Sequence, residues 1–143
     1  MCIRDRVNGA AAGSTLVLTL ADGSAISPDD YQRLGFEFSL DNGATWNVYT
    51  GAISLPAGNS TLQVRTNTVD DLIDEADETF TLGATLTSLG VPYSDSATAT
   101  IIDNDTPTVL VGAPGTGVGD ITVPEGERAV FGVQVNGLSL IHI

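Results

Sequence analysis

Residues 14–20 read Ser14-Thr15-Leu16-Val17-Leu18-Thr19-Leu20, and the spacing of the leucines decides the fold. Leu16, Leu18 and Leu20 recur at every second position. A period of two places them on one face of an extended strand, whereas a helix would scatter them around its axis. The pattern returns at Phe36, Phe38 and Leu40. Asp41-Asn42-Gly43 then supplies residues that tolerate positive φ, which predicts a tight hairpin into a strand over 46–49. Further strands are expected over 61–66 (Leu62, Val64), 79–86 (Phe80, Leu82, Leu86) and 97–102. Short alternating strands bounded by Gly, Asn, Asp and Pro predict an all-β fold, an antiparallel Greek-key, immunoglobulin-like β-sandwich. One stretch departs from the pattern. Val69, Leu72, Ile73, Ala76 and Phe80 fall at helical spacing, yet six of the nine residues from Asp70 to Glu78 are acidic. That segment is read as a loop containing one helical turn.

The 143 residues carry 18 Asp plus Glu against five basic residues, all Arg, for a formal net charge of −13. A phosphate backbone is bound through Lys and Arg, so nucleic acid and anionic membranes are excluded as expected partners, and divalent cations are favoured. With 42% hydrophobic residues and 16% charged, the chain is too apolar for a disordered acidic tail. One Cys and one His cannot make an internal disulfide or a zinc cage. No apolar run approaches the ~20 residues of a membrane-spanning helix, so direct membrane insertion is not expected.

The two ends read differently from the rest. Met1-Cys2-Ile3-Arg4-Asp5-Arg6 can be encoded by ATGTGTATAAGAGACAG plus one more base. The reverse complement of that string, with one more base, encodes Leu138-Ser139-Leu140-Ile141-His142-Ile143. This inverted pair resembles the mosaic-end adapter of transposase-based sequencing libraries, so 1–6 and 138–143 are expected to be adapter-derived and 7–137 to be an internal fragment. Without the tails, 17 acids face Arg33, Arg65 and Arg128, a net charge of −14.

After Asp105 the pattern starts again. Thr106-Pro107 punctuates the chain, 109–111 and 121–123 read as short strands, and 113–119 reads as a glycine-rich loop. Ala129, Phe131, Val133 and Val135 then repeat the alternation of Ser14, Leu16, Leu18 and Leu20. The expected organisation is a sandwich over 7–105 lacking its first strand, followed over 106–137 by the start of the next tandem repeat.

The acids gather at turns and strand ends: Asp29-Asp30, Asp70-Asp71, Asp74-Glu75, Asp77-Glu78, Asp103-Asn104-Asp105 and Glu125. Strand ends of a sandwich meet at two poles, where distant carboxylates can converge. Calcium takes six to eight oxygens at ~2.3–2.6 Å, a demand such a pole can meet. Solvated loop acids that keep a protein soluble are the competing explanation.

Asp30-Tyr31, Asp70-Asp71, Glu75-Ala76-Asp77-Glu78-Thr79-Phe80-Thr81-Leu82, Ala97-Thr98-Ala99-Thr100-Ile101-Ile102-Asp103-Asn104-Asp105 and Val123-Pro124-Glu125-Gly126 follow one another in an order that resembles the Calx-beta family. The resemblance extends to the tandem repeats of large bacterial surface and secreted proteins, including RTX-type adhesins. The 39–46 hairpin with Tyr49-Thr50-Gly51 and Leu55-Pro56-Ala57-Gly58 is also similar to those repeats. It covers nearly all of 7–137. The resemblance implies a seven-stranded sandwich binding Ca2+ at one pole through Asp30, Asp70, Asp71, Glu75, Asp103 and Asp105. The family's opening Glu is found only in the second unit, as Glu125. Glu78 is left at the edge of that site or facing solvent.

Other motifs carry less. Residues 39–46 fit the Ser-x-Asp-x-Gly-x-Thr-Trp turn of sialidases, but three Arg in separate segments make no arginine cluster. Gly115-Thr116-Gly117-Val118-Gly119 has no Lys and precedes Pro124 rather than a helix, so it is not a nucleotide loop. An EF-hand counted from Asp70 meets Glu75 where its sixth-position Gly belongs. Asp74 and Glu78 lack the aromatic-lined cleft of a glycosidase. The expectation is therefore a non-enzymatic extender module of an extracellular or cell-surface protein, with calcium ions and neighbouring repeats as partners. A carbohydrate- or protein-binding adhesin domain and an accessory domain of a secreted hydrolase remain as alternatives.

Overall fold

A computed structural model describes residues 2–116 and 119–137. The hexapeptide 138–143 and residues 117–118 of the glycine-rich loop lie outside the described residues. The described chain is all-β: β1 (Cys2–Ala10), β2 (Ser14–Asp22), β3 (Glu37–Ser39), β4 (Asn47–Val48), β5 (Ile53–Leu55), β6 (Gly58–Arg65), β7 (Glu78–Ser88), β8 (Val91–Ile101), β9 (Thr108–Gly112) and β10 (Gly132–Asn136). It divides into two compact units, Met1–Asp70 with Asp77–Ile101, and Asp71–Ala76 with Ile102–Ile143. No helix among the described residues is long and apolar enough to cross a membrane.

The first unit contains two four-stranded antiparallel sheets, ordered β1-β6-β3-β4 and β5-β2-β7-β8. Their apolar faces share one core in a sandwich-like arrangement. β2 supplies its centre: Ser14, Leu16, Leu18 and Leu20 are buried and the residues between them are not. Register then carries each leucine into a row across the sheet. Leu16 faces Leu86, which faces Tyr93; Leu18 faces Ala84, which faces Asp95; Leu20 faces Leu82, which faces Ala97. At the end of β2, Asp22 faces Phe80, which faces Ala99. From the other sheet Val7, Phe36, Leu62 and Val64 close the core. Each fully buried Leu or Phe contributes about 1.5–3 kcal/mol relative to exposure.

Several elements differ from the sequence reading. Residues 70–77 contain no helical turn; they run as an irregular connection, because their apolar residues are too few among the acids to bury a helical stripe. Residues 121–123 form no strand. Ile53-Ser54-Leu55 does form one, with Ile53 and Leu55 buried against β2, although three residues are too short for a periodicity to stand out. Cys2–Ala10, whose first five residues fall in the adapter-like hexapeptide, pairs with β6 from Cys2↔Arg65 to Val7↔Ser60. Such pairing uses backbone N–H and C=O groups and is indifferent to the origin of the side chains. In the second unit β9 and β10 form an antiparallel hairpin in which Val109 faces Val135 and Val111 faces Val133.

Two turns set the registers. In the β3–β4 turn, Asp41 is the organising group. Its Oδ1 accepts the Ser39 hydroxyl (2.7 Å) and the Thr45 N–H (2.8 Å), and its Oδ2 accepts the Thr45 hydroxyl at 2.6 Å. Gly43, at φ 87°, donates its N–H to Ser39 Oγ at 2.8 Å. The turn brings Trp46 beneath the Arg65 guanidinium, 4.1 Å from the ring centroid, while Arg65 Nε holds Glu37 at 2.6 Å. The β7–β8 hairpin closes through Leu89 and Gly90, with φ of 50° and 78°. Two positive φ values in a two-residue loop define the geometry for which Asn-Gly is preferred, and Leu carries a Cβ penalty there.

Thr45 above all, through its hydroxyl and N–H, and then Ser39 hold the Asp41 carboxyl down at about 2, against an ordinary value of 3.8. A depressed folded value stabilises above the unfolded one, so this contribution is whole above pH 3.8 and is lost as pH falls toward about 2. Asp41→Asn is expected to be less stable than the wild type at neutral pH, with the gap narrowing below pH 3.8 in acid-unfolding curves. Leu89→Asn is expected to raise stability by about 0.5–1 kcal/mol in urea unfolding, since Asn tolerates the left-handed region and Leu89 is 88% exposed.

Candidate functional site

The pole of the first unit where β2 ends and β7 begins is built around a buried tyrosine. Tyr31 is fully buried and stacks on Phe80, with centroids 4.3 Å apart and planes at 11°. Its hydroxyl donates to Asp22 Oδ1 at 2.6 Å, and Arg33 Nη1 reaches Asp22 Oδ2 at 3.1 Å. The Tyr31 hydrogen bond is the main reason that the Asp22 carboxyl sits below its ordinary range. Burial, followed by the Asp22 carboxylate, pushes the Tyr31 hydroxyl up to about 12.

This buried ring fixes the loop that carries Asp30. The Asp30 carbonyl accepts the Val69 N–H at 2.9 Å, and Gln32 N–H donates to the Asn67 carbonyl at 3.0 Å on the other side of the Tyr31–Thr68 bridge. The Asp30 carboxylate accepts the Ile26 N–H at 2.6 Å, closing its own turn. At the loop's start, Ala25 N–H donates to the Thr79 carbonyl and Thr79 N–H to Ser24 Oγ. A Cβ at Gly23 would lie 2.4 Å from that Thr79 oxygen, so only glycine lets the loop approach β7 so closely.

The result is that Asp30 and Glu78, 48 positions apart, each bring a carboxylate oxygen to within 4.8 Å of the other, both half-buried. Oxygens sharing one calcium at ~2.3–2.6 Å can be at most about 5 Å apart, so the pair fits as two ligands of a common ion. Two carboxylates so close repel, and a divalent cation between them replaces repulsion with attraction.

Asp70 is exposed at the end of the first unit's 1–70 segment. Asp71 is exposed in the second unit and its Oδ1 accepts the Ile73 N–H at 2.8 Å, an Asx turn. Glu75 belongs to that same 71–76 segment, three residues before Glu78 along the chain. Asp103 and Asp105 are half-buried in the connection after β8, with Asn104 exposed between them. Glu125 is exposed in the turn closed by the Glu127 N–H on the Pro124 carbonyl, 3.1 Å. The sequence reading left Glu78 at the edge of the site or facing solvent. Its signal was in the period of two, since Glu78, Phe80 and Leu82 share the inward face of β7.

Compared with protein-family models, curated proteins and solved structures, the chain matches none.

The elevated Tyr31 hydroxyl gives the pole a signature in alkali. A raised folded value stabilises below the unfolded one, here 10.0, and the contribution is lost as pH rises from there toward about 12. The stability difference between wild type and Tyr31→Phe in urea unfolding is therefore expected to be constant from neutral pH to 10 and to shrink toward 12.

Proposed function

We propose that this chain is a non-enzymatic, calcium-binding structural module of the Calx-beta type, with an immunoglobulin-like Greek-key sandwich, that extends a secreted or cell-surface protein. The observation that carries the reading is the approach of the Asp30 and Glu78 carboxylates to within 4.8 Å at one pole of the sandwich. Support also comes from the order of Asp30-Tyr31, Asp70-Asp71, Glu75 to Leu82 and Asp103-Asn104-Asp105 along the chain, and from a net charge of −13 without a single Lys. In this reading Asp30 and Glu78 supply the first two carboxylates. Backbone carbonyls and water complete the six to eight oxygens that calcium requires. Glu125 would serve the corresponding position of a following repeat.

The mechanism is linkage. An ion that binds the folded pole and not the unfolded chain stabilises by RT ln(1 + [Ca2+]/Kd), on the order of 1 kcal/mol at millimolar calcium for the ~10⁻⁴–10⁻³ M affinities of extracellular modules. A module held in this way resists extension and proteolysis while calcium is present and loosens when it is removed.

Differential scanning calorimetry tests this directly. The wild-type melting temperature is expected to rise by several degrees between chelator and millimolar calcium, about 2–4 °C for each kcal/mol in a chain of this size. Glu78→Gln should abolish the rise, with the variant's own melting temperature in chelator as its reference. An unchanged wild-type melting temperature would sink the proposal.

A further inference from the structure

The rows that run across β2, β7 and β8 end differently at their two extremes. Near Phe80 the inward side chain of β8 is Ala99, fully buried. At the opposite extreme the inward side chains of β8 are Asp95, facing Ala84, and Tyr93, facing Leu86. Both stand on the face that elsewhere makes the core, yet Asp95 is exposed and Tyr93 is 60% exposed. The other sheet meets them here with Val7, Gly9 and Ala10. What remains is a cleft of about 430 Å³ within the first unit. Leu16, Ala84 and Leu86 line its apolar part, and Tyr93 and Asp95 line it from β8.

A volume of 300–1,000 Å³ is usual for a small-molecule site, and Ser88, Ser94 and Asp95 bring polar groups to this one beside its leucines and alanines. The polar groups at hand select the chemistry. A carboxylate two residues from an aromatic ring on the same strand face offers an ion pair and a π-face to one cationic head, while the leucines and alanines take an apolar body. The net charge of −13 steers cations toward the chain and anions away from it. We propose that this cleft binds an amphiphilic amine, a primary or quaternary ammonium carrying an alkyl or aryl group, with Asp95 and Tyr93 on the head and Leu16, Ala84 and Leu86 on the body. The competing explanation is that Asp95 is an inward-pointing charge that guards the β8 edge against pairing with another chain.

Isothermal titration of the full chain at ~150 mM salt, where long-range charge effects are screened beyond about 8 Å, separates the two. The probes are n-octylammonium and n-octanoate, which share a body and differ in head-group charge. Octylammonium is expected to bind one-to-one and at least about tenfold more tightly than octanoate; Asp95→Asn should weaken it about tenfold, and Asp29→Asn, remote from the cleft, should leave it unchanged. Ala84→Phe should fill the space and abolish binding while the chain still melts cooperatively. Equal affinity for the two probes, no saturable binding, or an equal effect of Asp29→Asn and Asp95→Asn would overturn the proposal. So would an Asp95→Asn chain that self-associates yet binds octylammonium as the wild type does.

Discussion

Leu16, Leu18 and Leu20 can leave water only beneath a second layer, and that requirement organises the first unit. β2 is central in its sheet, paired on one side with β5 and on the other along nearly its whole length with β7. Because each leucine is locked opposite a specific residue of β7, and each of those opposite a residue of β8, the inward face of β2 dictates what every other strand of its sheet must present. A slip of one residue would turn the whole apolar set toward solvent. The register is therefore held far more firmly by burial than by any single hydrogen bond.

The same rows explain why the two extremes of this sheet are chemically unlike. Where Asp22, Phe80 and Ala99 end the rows, a loop folds in and Tyr31 seals the layer by stacking on Phe80 and donating to Asp22. Sealing that extreme positions backbone around Tyr31 and sets Asp30 near Glu78. Where Leu86 and Tyr93, and Ala84 and Asp95, end the rows, the facing residues are Val7, Gly9 and Ala10, and a cleft remains. One extreme thus concentrates carboxylates around a rigid loop and the other keeps an apolar cleft with a carboxylate at hand. Both follow from which residue sizes the sequence places opposite one another.

How much of this was legible beforehand depended on whether a feature is local. The inward faces of β2 and β7 could be read from a period of two, since alternation is a property of neighbouring residues. The Asp41 turn was visible as a pattern of turn residues, and the structure adds its network of hydrogen bonds. The strand over 53–55 was missed because three residues contain too few alternations. The helical spacing across 69–80 misled because a stripe of apolar residues forms a helix only if something buries it. Asp30 was singled out for its neighbour Tyr31, but Glu78 was set at the margin, although the same alternation that buries Phe80 places Glu78 on the inward face.

The sequence by itself determined the class of fold, the inward faces of β2 and β7 and the acidity of the turns, because each depends on residue type at short separation. Only the tertiary structure decided which carboxylates meet. Asp30 and Glu78 come together through a loop 23–33 that is pinned at Gly23, Tyr31 and Gln32 to partners more than 30 residues away. The open extreme between Gly9 and Tyr93 was likewise invisible, since a gap arises from two sheets meeting and no stretch of sequence contains it. Long-range pairing converts an even scatter of acids and small residues into particular neighbours, and it does so through contacts that have no period along the chain.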